Sequence, residues 1–506
     1  MSSGSGADER RLAIGSVAQQ ATQLLVALAS LAVITVLARE LPFAAFGAYT
    51  LFVSFSTYLL FAQSAVEGAT VTMLAGARDD AARVRVFTTT VVAYAAAGLA
   101  AGVLVLAASL LLPGPLGVPE GLRDDAMLGG ALTAALAVAG WPLKACRDSL
   151  RALQLFRRVA AADFVGYVVM AALSIALALG GAPLWLLIAV GGAVPLFIGV
   201  AAGAIFFAAR LPLRLSPGSL ERETTVRFIR MSGQLLATGV ADFVIYSLDR
   251  VVLAAFRSSS TVGLYEGPLR VHNLVRLTAG TLSFGVLPAA SDYLAKGDAV
   301  RARELVVRGT RYVLALVVPG VVVVMALATP ILAVWLGPRF AEAGPAMAIF
   351  VGYWLINANT VVASGMLIAR GETAWLARYA WGVALGCLAL SLALTPPLGL
   401  DGLVLGTAIP YAVAFPIFLR FVLRTLPVSL GDLARRAWLP AYPLAAALAL
   451  ALVGVRLVVD LDALWEVLAL GLGGLAAYWA IFTVFFLESS ERRLAVDVAR
   501  GLLRAG

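Results

Sequence analysis

Apolar residues in this chain come in long blocks, and the charges are confined to short stretches between them. Fourteen blocks can be delimited, at about 12–38, 46–75, 84–112, 126–150, 160–180, 184–209, 228–256, 262–292, 308–335, 343–369, 373–395, 401–424, 434–459 and 463–487. The shortest holds 21 residues. As an α-helix that is about 31 Å, enough to cross roughly 30 Å of hydrocarbon. The pattern predicts an all-α polytopic membrane protein with 14 transmembrane helices. Met1–Arg10 is polar, and no small-residue cleavage site follows a short apolar core, so the first block reads as a retained span. On the polar stretches, Asp298 is placed to cap a short helix reaching Val307, and Asp432 to do the same before Ala434.

Composition agrees and narrows the chemistry. Of 506 residues, 61% are hydrophobic and 13% charged, with a mean hydropathy of +0.94, against about 25% charged in soluble domains. One histidine, His272, and two cysteines, Cys146 and Cys387, cannot build a metal cluster, a redox pair or a disulfide framework. No phosphate-binding G-x-x-x-x-G-K-[ST] run is present. The expectation is therefore no catalytic residue, no metal, no cofactor and no enzymatic activity.

The net charge of +9 acquires meaning from its placement. Thirty of the 38 Lys and Arg lie at the two ends of the chain and around the loops after even-numbered blocks. The intervening loops carry five, Arg39, Arg123, Arg257, Arg339 and Arg456, and three more, Arg250, Arg270 and Arg276, lie within blocks. This bias places both termini in the cytoplasm of a plasma (inner) membrane. It accounts for the basicity without nucleic acid. The end of the chain sets Leu494, Val498 and Leu502 on one helical face among arginines, an amphipathic helix for the inner surface.

The chain also repeats. Val36-Leu37-Ala38, Gly47 and Tyr49 recur as Val252-Leu253-Ala254, Gly263 and Tyr265, all at an offset of 216 residues. Both copies fall in the outer hairpin joining an odd block to an even one, six spans apart, so the two halves share one orientation. The expected organisation is two six-helix lobes related by a pseudo-twofold axis along the membrane normal. The N-lobe is 1–210, a cytoplasmic linker 211–227, and the C-lobe 228–424, followed by two C-terminal helices in 425–487 and a cytoplasmic tail 488–506.

Ala38-Arg39-x-Leu41…Phe46-Gly47-x-Tyr49 resembles the first hairpin of the polysaccharide flippases in the multidrug/oligosaccharidyl-lipid/polysaccharide (MOP) exporter superfamily. Asp249-Arg250-Val251-Val252-Leu253, Val262-Gly263-Leu264-Tyr265, Leu287-Pro288-x-x-Ser291, Gly365 to Thr373 and Gly399-Leu400-Asp401-Gly402 resemble later segments of the same family. The resemblance covers spans 1 to 12. It implies two lobes around a cavity open alternately to each face. The cargo it implies is an oligosaccharide or polysaccharide repeat unit on a polyprenyl diphosphate, moved from the inner to the outer leaflet. Membrane lipids, and glycosyltransferases or a polymerase of the same pathway, are the implied neighbours of a prokaryotic monomer. Members that flip the peptidoglycan precursor use arginines on spans 1, 2 and 8. Here spans 1 and 2 carry no mid-membrane arginine, and span 1 offers Gln19, Gln20 and Gln23 instead.

A charge at mid-membrane costs about 2.5–3.5 kcal/mol on insertion scales, so each one needs a partner, a cavity or a function. Span 8 holds Glu266, Arg270, His272, Asn273 and Arg276 at helical spacing. Arg270 and Arg276 are candidates for the diphosphate because a guanidinium fork matches phosphate oxygens. Asn273, His272 and Gln23 complete the candidate substrate set. The competing reading is an internal network, Arg270 with Glu266 and Arg276 with Asp242 or Asp249. Asp249, Arg250, Glu266 and Arg39 are candidates for a gate or an inter-helix salt bridge. Glu67 and Asp242 are candidates for a coupling ion, with pairing of Glu67 to Lys144 or Arg147 the alternative. Gln63, Asn357 and Asn359 suit either sugar hydroxyls or helix–helix contacts. Prolines 195, 288, 319, 410 and 416 permit bends. Two other readings of the whole chain are a cation-coupled multidrug exporter of the same superfamily and an integral-membrane glycosyltransferase or polymerase. The second needs acids on a substantial outer loop, and only Glu120, Asp124 and Asp125 gather there, in thirteen residues.

Overall fold

In a computed structural model, the structure describes residues 5–58, 60–281, 286–487 and 491. Side chains within 5–21, 24, 57–62, 237–247, 281 and 287–288 are not among those described. Asp242, Gln19, Gln20 and the amphipathic face of the tail therefore lie outside the described set. Described secondary structure is entirely helical.

The helices follow the apolar blocks. The first is α1 (Ser5–Glu40), then α2 (Phe43–Tyr58), α3 (Leu60–Ala75), α4 (Asp80–Leu111), α5 (Glu120–Gly140), α6 (Lys144–Ala152) and α7 (Phe156–Leu179). Next come α8 (Leu184–Gly192), α9 (Val194–Ala208), α10 (Arg222–Ser247), α11 (Asp249–Phe256) and α12 (Ser259–Thr281). They are followed by α13 (Val286–Ala295), α14 (Ala299–Ala326), α15 (Ala328–Leu336), α16 (Gly344–Gly352), α17 (Trp354–Asn357) and α18 (Thr360–Ala369). The last five are α19 (Thr373–Leu398), α20 (Leu400–Thr425), α21 (Leu430–Leu433), α22 (Leu439–Arg456) and α23 (Leu464–Phe486). Each of the fourteen blocks is thus occupied by one helix or by two or three broken ones. Among the described residues, seven helices are long and apolar enough to span unaided, and three bent pairs raise that number to ten.

The breaks have local causes. The bend between α5 and α6 is 44° and falls at Trp141-Pro142-Leu143. The 48° bend between α8 and α9 falls at Ala193, two residues before Pro195. A proline removes one backbone donor and crowds the preceding turn, which opens the helix there. Pro319, Pro410 and Pro416 instead sit inside unbroken helices, so only some of the prolines singled out in the sequence mark a break. Asp298 caps α14 by accepting from the Arg301 amide at 2.9 Å, and that helix continues well past Val307 to Ala326. Asp432 does not occupy the expected capping position. Ser429 is the N-cap of α21, and Asp432 closes a reciprocal capping box with it.

By packing the chain falls into two units, Met1–Glu266 and Gly267–Gly506. This division reports contacts, whereas the boundaries at 210 and 228 report internal similarity. In the first unit α1 packs on α7, α4 on α5, α5 on α8 and α10 on α3. Small residues permit the α4–α5 approach. A Cβ on Gly98 would lie 2.9 Å from Cβ of Trp141, and one on Gly102 2.6 Å from Val138 Cγ2. Lipid is as apolar as the core, so close backbone packing of this kind substitutes for hydrophobic driving force. The opposite face of α4 exposes Leu99, Val103, Leu104 and Leu111, as a lipid-facing surface should. In the second unit α14 is the central helix, in contact with α16, α18, α22 and α23, while α19 packs along α20.

Candidate functional site

The polar residues of the spanning helices gather in three places. The first is the hairpin between α11 and α12. Arg250 Nε donates to Glu266 Oε1 at 2.5 Å, and the Tyr265 hydroxyl donates to Asp249 Oδ2 at 2.5 Å. Asp249, Tyr265 and Glu266 are buried, and Arg250 is nearly so. Three of the four residues proposed as a gate or salt bridge are thus brought together. Arg39, in the last turn of α1, is exposed and is not among these bonds.

The same hairpin contains the second copy of the repeat, and the two copies meet. A Cβ on Gly263 would lie 3.2 Å from Cα of Gly47, its counterpart at the 216-residue offset. A Cβ on Gly47 would lie 2.0 Å from the Ser259 carbonyl oxygen. Nearby, Gly117 (φ +67°) accepts a bond from Ser259 Oγ at 3.3 Å through its carbonyl.

The second place is the continuation of α12. Arg270 and Asn273 are half-buried and Arg276 is exposed. His272 is on the buried side of the helix, where its Nε2 hydrogen-bonds the Tyr353 hydroxyl at 2.7 Å and its ring stacks on Phe350 at 4.1 Å. At a spacing of four residues, His272 still sits one turn from Arg276 along the helix. Gln23, on α1, is exposed.

The third place, inside the first unit, is the largest described concentration of buried charge. Arg147 on α6 donates to both oxygens of Asp163 on α7, at 2.6 and 2.8 Å, and to Glu67 of α3 at 3.1 Å. Glu67 also accepts from Arg151, so of the two readings left open for it the structure contains an ion pair, with Arg147 as one partner. Lys144 donates to Gln63 Oε1 at 2.6 Å, and Asp148 accepts from the Tyr94 hydroxyl at 2.5 Å. Three cations balance three carboxylates. Asp148, Asp163 and Tyr94 escaped the sequence reading. The available signal was Lys144, Arg147, Asp148 and Arg151 at i, i+3, i+4 and i+7, which is one helical face. Asn359 is likewise engaged inside its unit, donating to Tyr442 at 2.8 Å and accepting from Trp438 Nε1 at 2.7 Å.

These features define a helical, multi-pass membrane fold with a repeated hairpin, paired charges inside its spanning helices and a basic stripe on one of them. Solved structures share that fold. The lipid II flippase MurJ in an inward closed conformation superimposes with a TM-score of 0.67 at 14% identity, covering 93% of this chain and 98% of that one. An inward-facing multidrug resistance MATE family transporter gives 0.64 at 15% identity, covering 80% and 97%. An outward-facing one gives 0.54 at 17%, covering 81% and 94%. No curated protein matches the chain in sequence. A family model described as polysaccharide biosynthesis protein matches residues 36–345, and the chain belongs to that family.

Proposed function

We propose that this protein is a flippase that carries a polyprenyl-diphosphate-linked oligosaccharide or polysaccharide repeat unit from the inner to the outer leaflet by alternating access. The carrying observation is membership of the polysaccharide biosynthesis family on a fold shared with a lipid II flippase. Arg276 and Arg270 are the proposed diphosphate ligands, because guanidinium forks pair with phosphate oxygens in two-point geometry and keep their charge in a partly dry site. Asn273, His272 and Gln23 complete the proposed substrate set, with His272 held in place by its bond to the Tyr353 hydroxyl. The Asp249–Tyr265 and Arg250–Glu266 bonds are the proposed gate elements. Coupling through Glu67 would require its carboxylate to leave two guanidiniums. Both termini are proposed to be cytoplasmic in a prokaryotic inner membrane, with the protein acting as a monomer alongside glycosyltransferases or a polymerase.

Reconstitution tests this directly. Vesicles containing the purified chain and a labelled lipid-linked oligosaccharide are expected to move label across the bilayer without ATP. Arg276→Ala should lower the rate about tenfold or more, the worth of one charge-assisted bond, and Arg276→Lys should fall between, keeping charge without the fork. An unchanged rate in a correctly inserted Arg276→Ala protein would remove that assignment. The MATE likeness favours a second reading, cation-coupled drug export. Proton-driven efflux of a cationic dye, with no movement of the lipid-linked saccharide, would put that reading in first place.

A further inference from the structure

The tenth span is interrupted twice, and each interruption carries a polar contact to another helix. Helix α16 ends at Gly352, the single turn α17 covers Trp354–Asn357, and α18 starts at Thr360, with a 46° bend at the second interruption. At that bend the Asn359 backbone N–H donates to the Ile356 carbonyl at 3.1 Å, three residues back instead of four. The Leu355 carbonyl thereby loses its regular helical donor, a loss that a membrane interior cannot make good with water. Side chains replace the donor. The Tyr442 hydroxyl donates to the Leu355 carbonyl at 2.5 Å, and Nδ2 of Asn359 adds a second bond at 3.2 Å.

The help comes from one face of the thirteenth span. Trp438 and Tyr442 are four residues apart, where a π-helical turn over Ala434–Trp438 leads into α22. Trp438 Nε1 donates to Asn359 Oδ1 at 2.7 Å, and Asn359 Nδ2 donates to the Tyr442 hydroxyl at 2.8 Å. This span lies outside the twelve-span repeat, so its contribution is additional to the two related halves. Tyr353 occupies the first interruption, on the other side of α17. Its hydroxyl meets His272 Nε2 at 2.7 Å, its ring stacks on Tyr411 of α20 at 4.7 Å, and Phe350 covers the histidine ring at 4.1 Å. Leu355, which α22 holds, is two residues from Tyr353, which holds α12.

We infer that Trp438 and Tyr442 are positioning residues for the arginines of α12, acting through Asn359 and the α17 turn on Tyr353 and His272. The need for such a brace lies in α12 itself. Pro268 removes a backbone donor inside that helix, and the packing boundary between the two units falls beside it, at Glu266–Gly267. The stretch carrying Arg270, His272, Asn273 and Arg276 belongs by packing to the second unit and takes its setting there. Arg276 follows His272 by one helical turn, so a roll or slide at His272 carries the guanidinium with it. A binding group has to stay within about 0.5 Å of its working position. The inference deepens the flippase reading and rests on it for what the arginines hold.

The test combines transport with spin-label spectroscopy on the full-length protein in vesicles. Trp438→Phe and Tyr442→Phe delete bonds to span 10 and keep an aromatic ring in place. Each is expected to raise the apparent KM for a labelled lipid-linked oligosaccharide about fivefold, which is about one kcal/mol. In an Arg276→Lys background the same substitutions should add less than about twofold, because losses that pass through one group are not additive. Tyr478→Phe is the control. It deletes a 3.2 Å bond from α23 to the Ala441 carbonyl of α22 and leaves span 10 untouched, so its KM should match the wild type. Nitroxides at Thr278→Cys and Leu385→Cys, both exposed, report the setting of α12 against α19 without any transport. Their separation should shift by about 1–2 Å, or its distribution widen, in the Trp438→Phe and Tyr442→Phe proteins and not in the control. An unaltered KM in both variants, or a loss that multiplies in full with that of Arg276→Lys, overturns the inference and leaves ordinary helix packing. Saccharide movement with neither KM nor nitroxide separation altered overturns the brace alone. A shifted separation in a protein that moves no saccharide keeps the brace and overturns the flippase reading, and an unshifted one there overturns both.

Discussion

At the scale of single residues, position in the ion-pair network decides what a charge is worth. Arg147 serves Asp163 through two bonds and Glu67 through a third, with 12% of its side chain exposed. Removing it leaves carboxylates buried without compensation, a change that costs about 3–5 kcal/mol in buried pairs. Arg147→Ala is therefore expected to lower the thermal midpoint of the detergent-solubilised protein sharply. Glu67→Gln should lower it less, because Arg147 keeps both bonds to Asp163. Arg83→Ala, which breaks an exposed i,i+3 pair with Asp80, should change stability by no more than about 0.5 kcal/mol. A midpoint for Arg147→Ala as high as that for Arg83→Ala would mean the cluster is not a structural clamp. This network was half legible. Glu67 and Arg147 stood out as charges in apolar sequence, whereas Asp163, close to the start of its apolar block, did not. Which acid faces which base depends on how α6 and α7 meet, and the pattern along one helix does not contain that.

At the scale of elements, the matched glycines of the repeat have a defined job. Gly47 and Gly263 let the start of α2 lie against the start of α12, with no room for a side chain at Gly47. Gly47→Val would force the Ser259 carbonyl away and loosen the hairpin from the Gly117 loop. With Ser258→Cys as reporter, a membrane-impermeant maleimide should label the Gly47→Val background several-fold faster than the Gly47 background, in line with about 1–3 kcal/mol of overpacking. Equal rates in the two backgrounds would show that the contact does not control access there. Sequence similarity revealed the two glycines as equivalent, and a Cβ would clash at Gly47 and be tight at Gly263. It did not reveal that they touch, a relation in space and not along the chain. Helix breaks show the same division. Pro195 marks one, but the break at Pro142 was missed and Pro319 marks none, because neighbouring groups can re-satisfy a backbone opened by proline.

At the scale of the whole molecule, the apolar blocks were readable because a bilayer imposes length and polarity on each helix separately, without reference to any partner. The proposed orientation rests on a similarly local property: short loops rich in Lys and Arg resist translocation, and the count belongs to each loop separately. In the proposed orientation the 113–125 and 257–259 segments lie outside and the 211–227 and 425–434 segments inside. In intact cells, cysteines placed at Asp124 and Ser258 should therefore react with an impermeant maleimide, while cysteines at Ser219 and Ser429 should react only after permeabilisation. Cys146 and Cys387 are buried, so the background is low. Labelling of Ser429→Cys from outside would invert the proposed orientation, and the direction of transfer in the flippase reading would have to be rebuilt as import.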